Sequence, residues 1–357
     1  MERSDKINRL DPDTLSSLHE YTFPQILSRQ AERLGDGNIA IREKSYGIWQ
    51  TFTWKDYLRY TKYVALGLNS LGLKRGENVG LIFDNHPEWL FAELGSQAIG
   101  AVTVPLFTSA IAKELLYGLN RVRADCVFVQ DQEQVDKLLE TQDDLKHVRR
   151  VIYIDPTGMR AYRDNPWLIS FEELLEIGKG CDEEQPDLFH KELWEGTPQD
   201  VALMLMTSGT TGLPKLVMLS YENFIDMAWK WLLTAPIGIG DNWISITPTA
   251  WIVDQLWGVG ITLAGGMTMN FPETFETIVE DFREIGPTVI VTSSRFWEEL
   301  ASRIRVKISD SGFIKRGLYT FSQKIGGKVV DLESQGNAVP GHLRFMKWLI
   351  KYIVSRP

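Results

Sequence analysis

Short apolar runs recur along this chain with room for one helix between successive runs, and this alternation constrains the fold more than any other feature. Residues 78–83 (NVGLIF) read as a buried strand, Pro87 opens a helical stretch that runs to Ile99 and ends at Gly100, and residues 101–106 (AVTVPL) read as the next strand. Helical 110–122, strand 125–129, helical 132–140 and strand 151–155 (VIYID) continue the pattern. It resumes with strands at 201–206 (VALMLM) and 216–219 (LVML), helical 221–233, strand 242–247 (NWISIT), helical 253–264, strand 268–271, helical 274–285 and strand 288–292 (TVIVT). Strands joined by crossover helices pair in parallel, so the predicted class is α/β, with parallel sheets flanked by helices.

A chain of 357 residues exceeds what one hydrophobic core usually supports. The predicted organisation is a first α/β subdomain at 1–199, carrying an acidic, turn-rich excursion near 156–199, a second subdomain at 200–302 that begins at a glycine-rich loop, and a basic aromatic helical tail at 303–357. Cys126 and Cys181 are too few for a disulfide framework, and Cys126 sits in an apolar run, so a buried thiol and a reducing cytoplasm are expected. The five histidines show no zinc-type spacing, and no metal site is predicted. A polar N-terminus and the lack of a run of about eighteen apolar residues predict neither a signal peptide nor a membrane span.

Charge is distributed unevenly. From Arg303 onward 11 Lys/Arg stand against three Asp/Glu, a net of +8, which leaves −17 on residues 1–302 of a chain whose formal charge is −9. In that tail Phe313, Tyr319, Phe321, Phe345, Trp348 and Tyr352 interleave with Lys315, Arg316, Lys324, Arg344, Lys347 and Lys351. Such a pattern suits a peripheral contact with anionic lipid headgroups on an inner membrane surface, or a pair of helices whose aromatic side packs on the protein and whose basic side is solvated. No nucleic-acid partner is predicted, because the chain is acidic overall and carries no nucleic-acid-binding module.

The strands at 201–206 and 216–219 enclose Thr207-Ser-Gly-Thr-Thr-Gly-Leu-Pro-Lys215. Gly209 and Gly212 let backbone N–H groups approach an anion, Thr207, Ser208, Thr210 and Thr211 add hydroxyl donors, and Lys215 adds a cation, so the stretch reads as a phosphate cradle. It is not the Gly-Lys-Ser/Thr loop of P-loop enzymes, since Pro214 precedes the lysine and Leu216 follows it.

These nine residues resemble the phosphate-binding signature of the adenylate-forming (AMP-binding) enzymes, which include acyl-CoA synthetases, luciferases and peptide-synthetase adenylation domains. Phe52-Thr-Trp-Lys-Asp-Tyr57, Leu71-Gly-Leu-Lys-Arg-Gly-Glu-Asn-Val79 and the stretch from Asn85 to Pro105 are similar to further blocks of that superfamily. Thr247-Pro-Thr-Ala-Trp-Ile-Val-Asp-Gln255 and the stretch from Glu284 to Glu298 look most like the bacterial long-chain fatty-acid–CoA ligase branch. The resemblance implies the large N-terminal domain of the adenylate-forming fold. It also implies a reaction in which a long-chain fatty acid attacks Mg²⁺-bound ATP, pyrophosphate leaves, and coenzyme A, the co-substrate, displaces AMP from the acyl-adenylate.

The same resemblance places Trp251 at the mouth of an acyl pocket, where it gates the chain or stacks on nucleotide; the residue-level alternative is a core aromatic. Asp254 reads as a polar contact near that mouth or as a surface helix carboxylate. Gly258, with Gly260, Gly265 and Gly266, leaves room for an alkyl chain or for close helix packing. Leu216 stands where the family has glycine and Tyr221 where it has histidine. The "YGxTE" block with its Mg²⁺-binding acid, the ribose-binding aspartate, the hinge and the C-terminal domain with its catalytic lysine have no counterpart before Pro357. The catalytic residues are therefore left unassigned, and the expected protein is the N-terminal part of a ligase, truncated and inactive alone. The competing expectation is a non-catalytic nucleotide- or acyl-binding remnant, or one half of a split ligase.

Overall fold

Thr22 opens the helix α1 (Phe23–Leu34) through a capping box in which its backbone N–H donates to Gln25 Oε1 at 2.9 Å. A hairpin follows, β1 (Ile39–Ser45) and β2 (Ile48–Thr53), closed by Tyr46 and Gly47, both at positive φ (50° and 74°), as a two-residue turn matched to strand twist requires. Thr53 then caps α2 (Trp54–Ser70). In the computed structural model, which describes residues 16–207, 215–235, 237–274 and 276–353, the chain divides into two compact units, Met1–Val291 and Thr292–Pro357.

The alternation read from the sequence appears in the first unit as β3 (Asn78–Ile82), α3 (Pro87–Ala98), β4 (Val102–Pro105), α4 (Ala112–Val122), β5 (Ala124–Val129), α5 (Gln132–Leu139) and β6 (Arg150–Tyr153). The segment read as a turn-rich excursion is more ordered than that: it holds β7 (Leu168–Ser170), α6 (Phe171–Glu184) and α7 (Leu188–Trp194). Its acidic residues hid a capping box, Ser170 with Glu173, and a helical stripe of Phe171, Leu174, Gly178 and Cys181 that is buried. Then come β8 (Val201–Thr207), β9 (Lys215–Ser220), α8 (Tyr221–Thr234), β10 (Asn242–Ile244), β11 (Thr268–Phe271) and α9 (Ile278–Ile285). The strand expected at 288–292 is reduced to one bridge, Val289 to Trp243.

Seven strands form one sheet in the order β7-β6-β5-β3-β4-β8-β9, parallel except for the edge strand β9. Four form a second, β10-β11-β1-β2, parallel except for the edge strand β2. Both sheets draw strands from either side of residue 200. Between β10 and β11 the helical run expected at 253–264 contains a π-helical stretch, Gln255–Ile261, whose Trp257 lies against Trp231 and Trp243, with ring centroids 4.9 and 5.7 Å away.

The second unit contains α10 (Ser294–Ser309), α11 (Phe313–Ser334) and α12 (Gly341–Ile353). Its small core joins Ile325, Val329 and Leu332 of α11 to Leu343, Met346 and Ile350 of α12. Among the described residues no helix is long and apolar enough to cross a membrane.

Candidate functional site: the strand ends of the first unit

The glycine-rich loop joins antiparallel partners. Thr207 and Lys215 face each other at the open end of the β8–β9 pair, and Thr207 Oγ1 donates to the Lys215 carbonyl at 3.3 Å. Both are exposed. Ser208, Gly209, Thr210, Thr211 and Gly212 lie outside the described residues. Leu216 pairs with Met206 and packs against the cluster beneath the sheet, so it is a strand residue rather than part of the turn. Tyr221 is buried as the first residue of α8, edge-on to Phe23 with centroids 5.6 Å apart.

Because β3, β4 and β8 are parallel neighbours, their carboxyl ends share one sheet edge, the position at which ligands sit in open α/β sheets. Thr108, after β4, donates to Asp84, after β3, at 3.0 Å. Asn85 reaches across to the segment that follows β10: its Nδ2 donates to Ser245 Oγ and to the Thr247 carbonyl, both at 2.6 Å, and its Oδ1 accepts from the Thr249 N–H at 3.3 Å. Ser245 and Thr247 in turn donate to Asp254, at 3.2 and 2.9 Å. The segment that carries Trp251 is thereby tied to the edge of the seven-stranded sheet.

Asp254 is 1% exposed, so the expectation of a surface helix carboxylate is corrected. Burial pushes its carboxyl up to about 7 against the lowering effect of the Thr247 and Ser245 hydroxyls, and Glu93 adds to the rise. Glu93 is fully buried and likewise pushed up to about 7 by burial, although Gln255, Trp89 and Gln97 all donate to it, at 3.2, 2.6 and 3.3 Å. Gln255 also donates to the Thr249 carbonyl at 2.9 Å, which joins the two carboxyl groups into one buried polar network. Trp251 is 39% exposed. Gly258 is on the π-helical stretch, and a side chain there would meet Met269 Cε at 2.7 Å and Asp254 Oδ1 at 2.8 Å. The space beside it is filled by the protein itself, which is close packing rather than room for an alkyl chain. Sequence reasoning missed Asn85, Glu93, Ser245 and Gln255 as a set, because nothing local announces a contact across 160 positions.

One group of three among the described residues brings metal-type donors together: atoms of Glu43, His86 and Glu88 lie within 4.8 Å of one another. His86 Nδ1 is 2.8 Å from Glu43 Oε1; burial lowers the histidine, but that bond together with the charges of Glu43, Glu88 and Asp84 raises it, while burial and Glu43 raise Glu88. An imidazole with two carboxylates differs from the all-oxygen set that Mg²⁺ takes. That group is therefore not a fitted Mg²⁺ site.

The model of the AMP-binding enzyme family matches residues 27–342. The chain belongs to that family. A long-chain-fatty-acid–CoA ligase of Xenopus laevis is 27% identical over 94% of this chain and 46% of its own length, and one of Mus musculus is 27% identical over 90% and 45%. The chain spans about half the length of these curated relatives. They are vertebrate proteins, and they do not single out the expected bacterial branch. Among solved structures, the adenylation domain of a Mycobacterium chelonae carboxylate reductase superposes with TM-score 0.70 at 18% identity, covering 86% of this chain and 51% of that one. A long-chain-fatty-acid–CoA ligase of Archaeoglobus fulgidus gives 0.62 at 20% identity, covering 75% and 50%. These likenesses agree with an α/β N-terminal domain of the adenylate-forming fold.

Proposed function

We propose that this chain forms the nucleotide- and acyl-binding part of an enzyme that activates a long-chain fatty acid with ATP to the acyl-adenylate and then to the coenzyme A thioester. The observation that carries this reading is that Thr207 and Lys215, the two ends of the glycine-rich stretch, lie at the carboxyl edge of parallel strands, on the edge to which Asn85 ties the 245–255 segment. In this reading Lys215, Thr207 and the loop residues Ser208, Gly209, Thr210, Thr211 and Gly212 hold the ATP phosphates and offset charge on departing pyrophosphate. Trp251, which is exposed, lies against the acyl chain or the nucleotide. Asp254, being buried, acts through Ser245 and Thr247 as a positioning residue for the Trp251 segment. Mg²⁺ supplies charge neutralisation on the phosphates when bound. The proposal extends to a peripheral contact with the inner membrane surface through the basic tail.

Calorimetry with ATP and with a non-hydrolysable acyl-adenylate mimic tests the site. Lys215→Ala should weaken ATP by about tenfold, the scale of one charge-assisted contact, and an affinity indifferent to that change would remove the loop from the phosphate site.

A further inference from the structure

Helix α12 divides its residues sharply between two faces. Leu343, Met346 and Ile350 turn inward onto Ile325, Val329 and Leu332 of α11. Phe345, Trp348 and Tyr352, spaced i, i+3 and i+7, lie on the outer face at 62%, 53% and 46% exposure, with Leu349 beside them. Their rings form a continuous ladder, with centroids 5.9 Å apart between Phe345 and Trp348 and 4.9 Å between Trp348 and Tyr352. An aliphatic inner face already satisfies the packing of this helix, so the aromatic face is not what holds it in place. Of the two readings of the tail, the one in which its aromatic side packs on the protein does not describe α12 within its own unit.

Cations flank the ladder. Lys347 is drawn to Glu333 at 2.9 Å, whereas Arg344 and Lys351 are exposed and make no ion pair among the described residues. A shallow groove runs between Arg344, Lys347, Trp348, Ile350 and Lys351, so an indole wall stands next to three positive groups. No acidic residue occurs in α12. A protein-facing apolar patch is typically depleted of lysine, while aromatic rings with polar edges and long basic side chains between them match the boundary between headgroups and acyl chains.

We propose that the outer face of α12 docks on an anionic phospholipid bilayer, with Phe345, Trp348 and Tyr352 seated at headgroup depth and Arg344, Lys347 and Lys351 paired with lipid phosphates. The helix lies in the plane of the surface and does not cross it, in keeping with its 13 residues. This assignment gives the tail contact a definite face and does not depend on the phosphate-loop reading, so the two fail separately.

Co-sedimentation of the full 357-residue chain with vesicles tests it, comparing phosphatidylcholine alone with an equal mixture of phosphatidylcholine and phosphatidylglycerol. Binding to the anionic vesicles should exceed binding to the neutral ones by at least about tenfold and weaken as salt is raised. The double change Arg344→Gln, Lys351→Gln should reduce it by about 25-fold, at roughly fivefold per charge. Trp348→Ser should reduce it by about tenfold and remove quenching by brominated lipids; Phe345→Ser repeats that test, and all these sites are exposed, so circular dichroism should be unchanged. Lys215→Ala should bind vesicles as the parent does. Equal partition to neutral and anionic vesicles, or indifference to both kinds of substitution, would overturn the proposal. So would a self-association in the absence of lipid that Trp348→Ser abolishes, which would make the face a protein contact.

Discussion

Replacing Asp254 by asparagine keeps the shape of the side chain and removes its charge, which makes the buried carboxyl measurable through stability. In the unfolded chain this group titrates near its ordinary value of 3.8, whereas in the native protein burial pushes it up to about 7. Between those values the native state holds a proton that the unfolded state has released, so stability falls as pH rises through the window and levels off above about 7. Each unit is worth about 1.4 kcal/mol, and from pH 5 to pH 8 roughly two units are traversed before the native group ionises, giving a contribution of roughly 2–3 kcal/mol that Asp254→Asn removes, while both proteins keep the loss that comes from Glu93. The hydroxyls of Ser245 and Thr247 can rotate to accept from the new amide, so the variant should fold. Urea unfolding followed by tryptophan fluorescence at pH 5, 6, 7 and 8 measures the difference between the two proteins. It should shift in favour of the variant up to about pH 7 and level off there. A difference that stays constant across that range would mean the carboxyl is ionised, or is solvated, at all of those pH values, and the network described around it would be wrong.

Two further outcomes follow from packing. Gly178→Ala places a methyl group against the Tyr63 carbonyl oxygen, where α6 and α2 meet backbone to backbone, and should destabilise the first unit by about 3 kcal/mol in the same urea assay. Cys126 is 2% exposed and its thiol is pushed up to about 12 by burial, so iodoacetamide should label it only after denaturant is added, as mass spectrometry of the labelled peptide will show.

Much of the first unit was legible in the sequence because its central strands are buried on both faces. Val79, Leu81 and Ile82, like Val127, Phe128 and Val129, are inaccessible, and such strands read as unbroken apolar runs whatever surrounds them. The paired strands around the glycine-rich loop were readable for a similar reason, since VALMLM and LVML lead into and out of it, and the chemistry of a phosphate cradle is local. The β1–β2 hairpin was not read, because its alternation is weak and its turn signal is a single Tyr46-Gly47 pair. The run from Val253 to Ala264 is mostly apolar, so it signalled a helix but no phase, and the π-helical stretch within it left no pattern to read.

The sequence by itself determined the strand–helix alternation, the loop that marks the family, and the uneven charge that makes the tail basic. Tertiary structure alone decided that 39–53 and 242–271 share a sheet, that Asn85 holds Ser245, and that Asp254 is enclosed beside Glu93 instead of facing solvent. The reason is that periodicity records which side of an element is apolar, whereas the protonation of a carboxyl depends on the summed surroundings that distant segments bring to it. A polar residue on an apolar helix face looks the same in sequence whether water or a ring of hydroxyls covers it. The same holds for α12, where the spacing of aromatic and basic residues was written in the sequence, and only the packing of Leu343, Met346 and Ile350 on α11 showed which face remains outside.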